Sequence, residues 1–72
     1  MKTPVVTGKE VLSVLQKNGF AVVRWKGSHA HLTKGSLQVT VPVHSNDEIN
    51  PGVLRSIARQ AGFEPNSFFN LF

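Results

Sequence analysis

The residues best suited to chemistry lie near the middle of the chain, around the tripeptide Gly27–Ser28–His29. Histidine has an unperturbed pKa of about 6.5, so it donates or accepts a proton near neutral pH. Cationic side chains flank it, with Arg24 and Lys26 before it and Lys34 after it, and such side chains bind phosphate groups. This pattern indicates proton transfer on a phosphate backbone.

Two further histidines extend the candidate site. His31 lies two residues after His29, so both side chains are expected on the same side of a β-strand. His44 fits a structural role, as a loop cap or hydrogen-bond partner of the turn, as well as a direct role. The His29–x–His31 pair could ligate zinc, but no thiolate or carboxylate lies at matching spacing. No metal and no cofactor are therefore expected.

Length and composition limit the class of protein. The 72 residues predict a single domain spanning 1–72, and the absence of cysteine excludes disulfides. No secretory signal and no apolar run long enough for a membrane span occur in the sequence, so a cytoplasmic protein is expected. Eight Lys and Arg residues against four Asp and Glu, with a pI of about 10.2, favour a nucleic acid or an acidic protein as partner.

Helix signals flank the candidate site on both sides. Thr7–Glu10 predicts a capping box, and the helix that it opens ends at Asn18–Gly19. Asn50–Pro51 predicts the start of a second helix, which ends at Gly62. A short helical turn over about 67–71 is expected to complete the core, because this segment is rich in phenylalanine.

Three strands are predicted between the helices, separated by glycine–serine turns, at 20–26, 29–33 and 37–41. The order predicts an α+β domain in which both helices cover one face of a three-stranded antiparallel sheet. Alternation predicts that the other, open face carries Arg24, Lys26, His29, His31, Thr33, Gln38 and Thr40. In the first strand, Ala21, Val23 and Trp25 are expected to face the interior, and Phe20 and Val22 the solvent.

The chain resembles the HicA toxin family, the YcfA-like mRNA interferases, over about residues 8–72. The matching motifs are Gly19–Phe20, Gly27–Ser28–His29, Val41–Pro42–Val43–His44, Pro51–Ile57, Ala61–Gly62–Phe63 and the aromatic tail. Each motif is weak alone, but their order and spacing are specific.

The resemblance implies a fold similar to the double-stranded-RNA-binding domain, ribonuclease activity on mRNA, and inhibition by a HicB-like antitoxin. The family's catalytic histidine matches His29, and its histidine after Val–Pro matches His44. Leu32 departs from the family, where an aromatic residue is common.

Together these observations predict the toxin of a toxin–antitoxin system, a metal-independent endoribonuclease with His29 as general acid or base. The residues expected to bind RNA are Arg24, Lys26, Gly27, Ser28, His31 and Lys34. The alternative is a non-catalytic RNA-binding module with the same fold.

Overall fold

A computed structural model describes residues 3–72. Met1 and Lys2 lie outside the described residues. The predictions of a domain over 1–72 and of no secretory signal include these two residues. The elements in chain order are α1 (Gly8–Lys17), β1 (Ala21–Lys26), β2 (His29–Lys34), β3 (Leu37–Pro42), α2 (Pro51–Gln60) and α3 (Pro65–Phe69). This order confirms the predicted α+β class. Within residues 3–72, no helix is both long and apolar enough to cross a membrane.

Side chains at the predicted positions cap the helices. At α1, Thr7 Oγ1 accepts a hydrogen bond from Glu10 N at 3.3 Å, and Thr7 N donates to Glu10 Oε1 at 3.0 Å. Asn50 Oδ1 accepts from Gly52 N at 2.8 Å and so starts α2. These bonds satisfy backbone N–H groups that a helix start leaves free, which explains why each helix begins where it does.

The sheet has the order β1–β2–β3 with antiparallel neighbours. Alternate residues of β2 and β3 are buried, namely Ala30, Leu32, Val39 and Val41. They share one core with the apolar faces of the helices, including Leu15, Leu54 and Phe68. The helices therefore cover one face of the sheet and leave the other open, as predicted.

The expected orientation of the first strand is wrong for its residues before Arg24. Phe20 is buried at 4% exposure, whereas Val23 and Trp25 are 58% and 54% exposed. The pairing register shifts between Val22, which pairs with Leu32, and Arg24, which pairs with His31. Val23 is thus the extra residue of a β-bulge, and strict alternation, on which the expectation depended, fails at this point.

Because of the bulge, the residues of β1 before Arg24 face the opposite side of the sheet from the one expected, whereas Arg24 and the residues after it do not. Directly paired residues of an antiparallel sheet share a face. Arg24 pairs with His31 and Lys26 with His29, so both cations lie on the open face, as predicted. Trp25 pairs with Ala30 on the helix side of the sheet, but it remains largely exposed.

Helix α1 approaches the end of β3 very closely through Gly8, which is buried. A Cβ atom at this position would lie 2.3 Å from Pro42 O and 2.9 Å from Val43 Cα. Only glycine permits this approach. The contact therefore fixes the chain at the point where it leaves the sheet.

We expect Gly8→Ala to lower the free energy of unfolding by about 1–3 kcal/mol, because the added methyl group meets backbone atoms that cannot rotate away. Helix propensity alone favours alanine by about 1 kcal/mol, so the sign of the effect separates the two causes. The measurement is urea unfolding, with Ser13→Ala on the exposed side of α1 as the control, expected within about 0.5 kcal/mol of wild type. Equal or greater stability of Gly8→Ala would contradict the close approach.

Candidate active site

A two-residue turn presents the central histidine. Gly27 has a φ of 58°, and Ser28 is not among the residues with positive φ. This combination matches the type II′ turn, which requires a positive φ at its first central residue and joins strands with their natural twist. Lys26 and His29 flank the turn as a cross-strand pair, so an amine and an imidazole lie side by side.

The open face of the sheet is basic. The β2–β3 register adds Thr40 beside His31 and Gln38 beside Thr33 to the face that carries Arg24 and Lys26. Residues 20–42, which form the whole sheet, contain no Asp or Glu. Two of the four acidic side chains, Glu10 and Glu64, accept backbone hydrogen bonds at helix starts. The charge on this face therefore suits a polyanion.

His44 lies beside His29, although the two are distant in sequence. Their ring centroids are 5.7 Å apart, and the ring planes meet edge to face at 82°. Ser28 Oγ lies 3.0 Å from Nδ1 of His44. The predicted structural role of His44, as a hydrogen-bond partner of the turn, is therefore present, and the same contact places a second imidazole at the candidate site.

The loop that carries His44 is held at several points. Val43 N donates to Ser28 O at 2.8 Å, which extends the β2–β3 pairing past Pro42. Asp47 N donates to His44 O at 2.9 Å, and Ile49 N donates to Val6 O at 2.8 Å. These bonds close a turn directly after His44 and anchor the far end of the loop in the core.

His31 lies farther along the same face. Its Nδ1 lies 3.2 Å from Thr40 Oγ1 on the neighbouring strand. A shallow cavity of about 250 Å³ opens here, lined by Val23, Arg24, His31, Leu32, Thr33, Gln38, Val39 and Thr40. His31 and Arg24 therefore share a concave, polar surface next to the His29 position.

Lys34 is not brought to the candidate site. It lies at the opposite end of β2 from His29, about 16 Å away at roughly 3.3 Å per residue. Its Nζ donates to Asn18 O, at the end of α1, at 2.9 Å and lies 5.8 Å from the centre of the Phe20 ring. A cation suits the carboxyl end of a helix, so this side chain has a structural use. Its contact with RNA stays a prediction.

The arrangement is suited to acid–base chemistry on a phosphate. His29 and His44 are both exposed and adjacent, with the cations Lys26 and Arg24 on the same face. Among residues 3–72, no three His, Asp or Glu side chains cluster closely enough to hold a metal ion. Sequence reasoning placed His29 on this face but not His44, because the third strand was expected to end before Pro42.

Comparison with known proteins identifies the family. The family model described as "HicA toxin of bacterial toxin-antitoxin" matches residues 8–63, which is more than half of the chain. The matched region includes α1, the whole sheet, α2, and both His29 and His44. A search of curated proteins gives no match. Because the match covers residues 8–63, the chain belongs to the HicA family of toxins from bacterial toxin–antitoxin systems.

Proposed function

We propose that this HicA toxin is an endoribonuclease that cleaves mRNA in the cytoplasm with His29 as a general acid or base. The observation that carries the proposal is an exposed imidazole paired with Lys26 on a sheet face that lacks carboxylates. An imidazole transfers protons at neutral pH, and the adjacent ammonium group attracts the substrate phosphate. The family match supports the role of toxin, and the geometry of the site supports RNA cleavage as the reaction by which the toxin acts.

In the proposed reaction, the 2′-hydroxyl of a ribose attacks the adjacent phosphorus. A base removes the hydroxyl proton, and an acid protonates the 5′ oxygen that leaves. His29 performs one of these transfers, and each positioned proton-transfer group contributes roughly 10²–10⁴-fold to the rate. The reaction requires no bond between the protein and the RNA, and the nucleophile comes from the substrate itself.

The phosphate is held by groups around the turn. Lys26 lies beside His29, and Arg24 lies beside His31 on the same face. Cations at these positions offset the negative charge that grows on phosphorus in the transition state. Gly27 has no side chain, so the backbone N–H groups of Gly27 and Ser28 are accessible to phosphate oxygens.

We expect His29→Ala to reduce RNA cleavage by at least about 100-fold, because one proton transfer loses its positioned group. The protein should stay folded, since His29 is exposed. Cleavage is measured on labelled mRNA with excess EDTA, against Ser13→Ala as the control, and toxicity is measured by induced expression. Full cleavage by His29→Ala would refute the role of His29. RNA binding without cleavage by the wild type would instead favour a non-catalytic RNA-binding module.

We expect Lys26→Ala and Arg24→Ala each to weaken RNA binding and to reduce the slope of log K against log salt by about 1, because each removes one phosphate contact. Lys9→Ala is the matched control: it removes the same charge from an exposed position on α1, which covers the other side of the sheet. The measurement is a salt titration of RNA affinity with a cleavage-resistant 2′-deoxy or 2′-O-methyl oligonucleotide. An equal effect of Lys9→Ala would show that net charge alone drives binding.

The same face is proposed as the docking site of a HicB-like antitoxin. Carboxylates of the antitoxin would pair with Lys26 and Arg24 and cover His29, and opposite charges would speed the association.

We expect Lys26→Glu to slow antitoxin association at low salt by at least about tenfold, whereas Lys9→Glu, with the same change in net charge, has a much smaller effect. The measurement is stopped-flow or surface-based kinetics with the antitoxin from the same operon. Equal slowing by both variants would place the antitoxin elsewhere or show a purely global charge effect.

A further inference from the structure

We infer that His44 is the second proton-transfer group of the active site and acts on the same phosphate as His29. The inference rests on the proposed ribonuclease function and deepens it. The chemistry requires two groups, because the proton leaves the 2′ oxygen on one side of phosphorus and another proton reaches the 5′ oxygen on the other side. A single imidazole cannot occupy both positions in one step.

The spacing of the two rings suits a shared substrate group. A proton-transfer group must lie about 2.6–3.2 Å from the atom on which it acts. Rings whose centroids are 5.7 Å apart can therefore both reach one phosphate that lies above or between them. Both side chains are exposed, so a substrate can approach them.

Strand geometry directs His44 to the correct side of the sheet. Pro42 pairs directly with His29 and shares its face. The backbone pairing continues to Val43, which packs against the core. The next residue, His44, therefore returns to the open face, where its ring meets His29.

The Ser28 hydroxyl group contacts both nitrogens of the His44 ring. Its Oγ lies 3.0 Å from Nδ1 and 3.5 Å from Nε2. A hydrogen bond from a neighbouring side chain orients an imidazole ring. Ser28 is thus a positioning residue that links the turn before His29 to His44.

Backbone strain next to His44 supports a positioned side chain. Ser45 has a φ of 52°, and among the non-glycine residues within 3–72 it alone has a positive φ. Its position, immediately after His44 in the turn closed by Asp47 N and His44 O, is one where glycine is normally favoured. Such strain occurs preferentially at functional sites, where the surrounding structure maintains it.

The atoms balance in the proposed step. The O2′–P bond forms and the P–O5′ bond breaks, giving a 2′,3′-cyclic phosphate and a free 5′-hydroxyl. One histidine takes the 2′-hydroxyl proton as the other gives its proton to O5′, so the pair ends with its protons exchanged. Solvent then restores both rings. His29 contacts the His44 ring, Lys26 is the cross-strand neighbour of His29, and Asp47 closes the turn that begins at His44.

The test uses two oligonucleotides that contain a single ribonucleotide and are otherwise 2′-deoxy. One has the normal 5′ oxygen at the cleavable phosphate, and the other has sulfur there, which leaves without needing a proton. Cleavage rates are measured for wild type, His29→Ala, His44→Ala and the control Ser13→Ala. On the oxygen substrate, we expect both histidine variants to lose at least about 100-fold.

On the sulfur substrate, we expect one histidine variant to recover to within about tenfold of wild type, because its missing group is the acid, while the other stays impaired. Recovery of His44→Ala alone identifies His44 as the acid. If His29→Ala recovers instead, His44 is the base, and His44→Ala must also lose the rise of the cleavage rate with pH on the sulfur substrate, which a merely structural role would leave in place. His44→Gln, which keeps a polar group near Ser28, should behave like His44→Ala, and circular dichroism with thermal melting verifies that both are folded.

Near-wild-type cleavage of the oxygen substrate by folded His44→Ala and His44→Gln would overturn the inference, as would rescue of both histidine variants or of neither. These results are distinguishable from failure of the proposed function. In that case the wild type itself would cleave neither oligonucleotide nor mRNA, or His29→Ala would cleave as well as wild type.

Discussion

The pairing of β2 with β3, extended by the hydrogen bond from Val43 N to Ser28 O, is the interaction on which the site depends. It joins the turn that presents His29 to the loop that carries His44. Gly8 stabilises the same region from the helix side of the sheet, because its lack of a side chain lets α1 contact Pro42 and Val43. Backbone geometry therefore brings the two imidazoles together, and both rings are exposed at the surface.

The sequence was sufficient to predict the order of the elements, since capping residues, glycine turns and apolar periodicity all act locally. The capping box at Thr7 and the positive φ of Gly27 are examples of signals that tertiary contacts do not alter. The open face was also largely predictable, because Leu37–Val41 and His29–Thr33 alternate without interruption. Arg24 and Lys26 were placed correctly as well, although the reasoning for their strand was incomplete.

The orientation of β1 was not predictable, because Val22 and Val23 are chemically alike and no residue between them marks the bulge. Phe20 faces the core and Arg24 faces the solvent, although they are four residues apart. Strict alternation would place both on the same face of the sheet. His44 was a candidate from the sequence, but its position beside His29 was not predicted, for a different reason. Proline usually ends a strand, so alternation was not carried past Pro42, yet Val43 continues the pairing because its own N–H is free to donate.

The bulge at Val23 has a further consequence for the border of the sheet. β1 is an edge strand, so the backbone N–H and C=O groups along its outer side can pair with another extended chain. An extra residue interrupts the regular spacing of those groups, so a regular strand cannot form hydrogen bonds along the whole length of β1. The bulge therefore disfavours edge-to-edge pairing of two copies of this chain along β1.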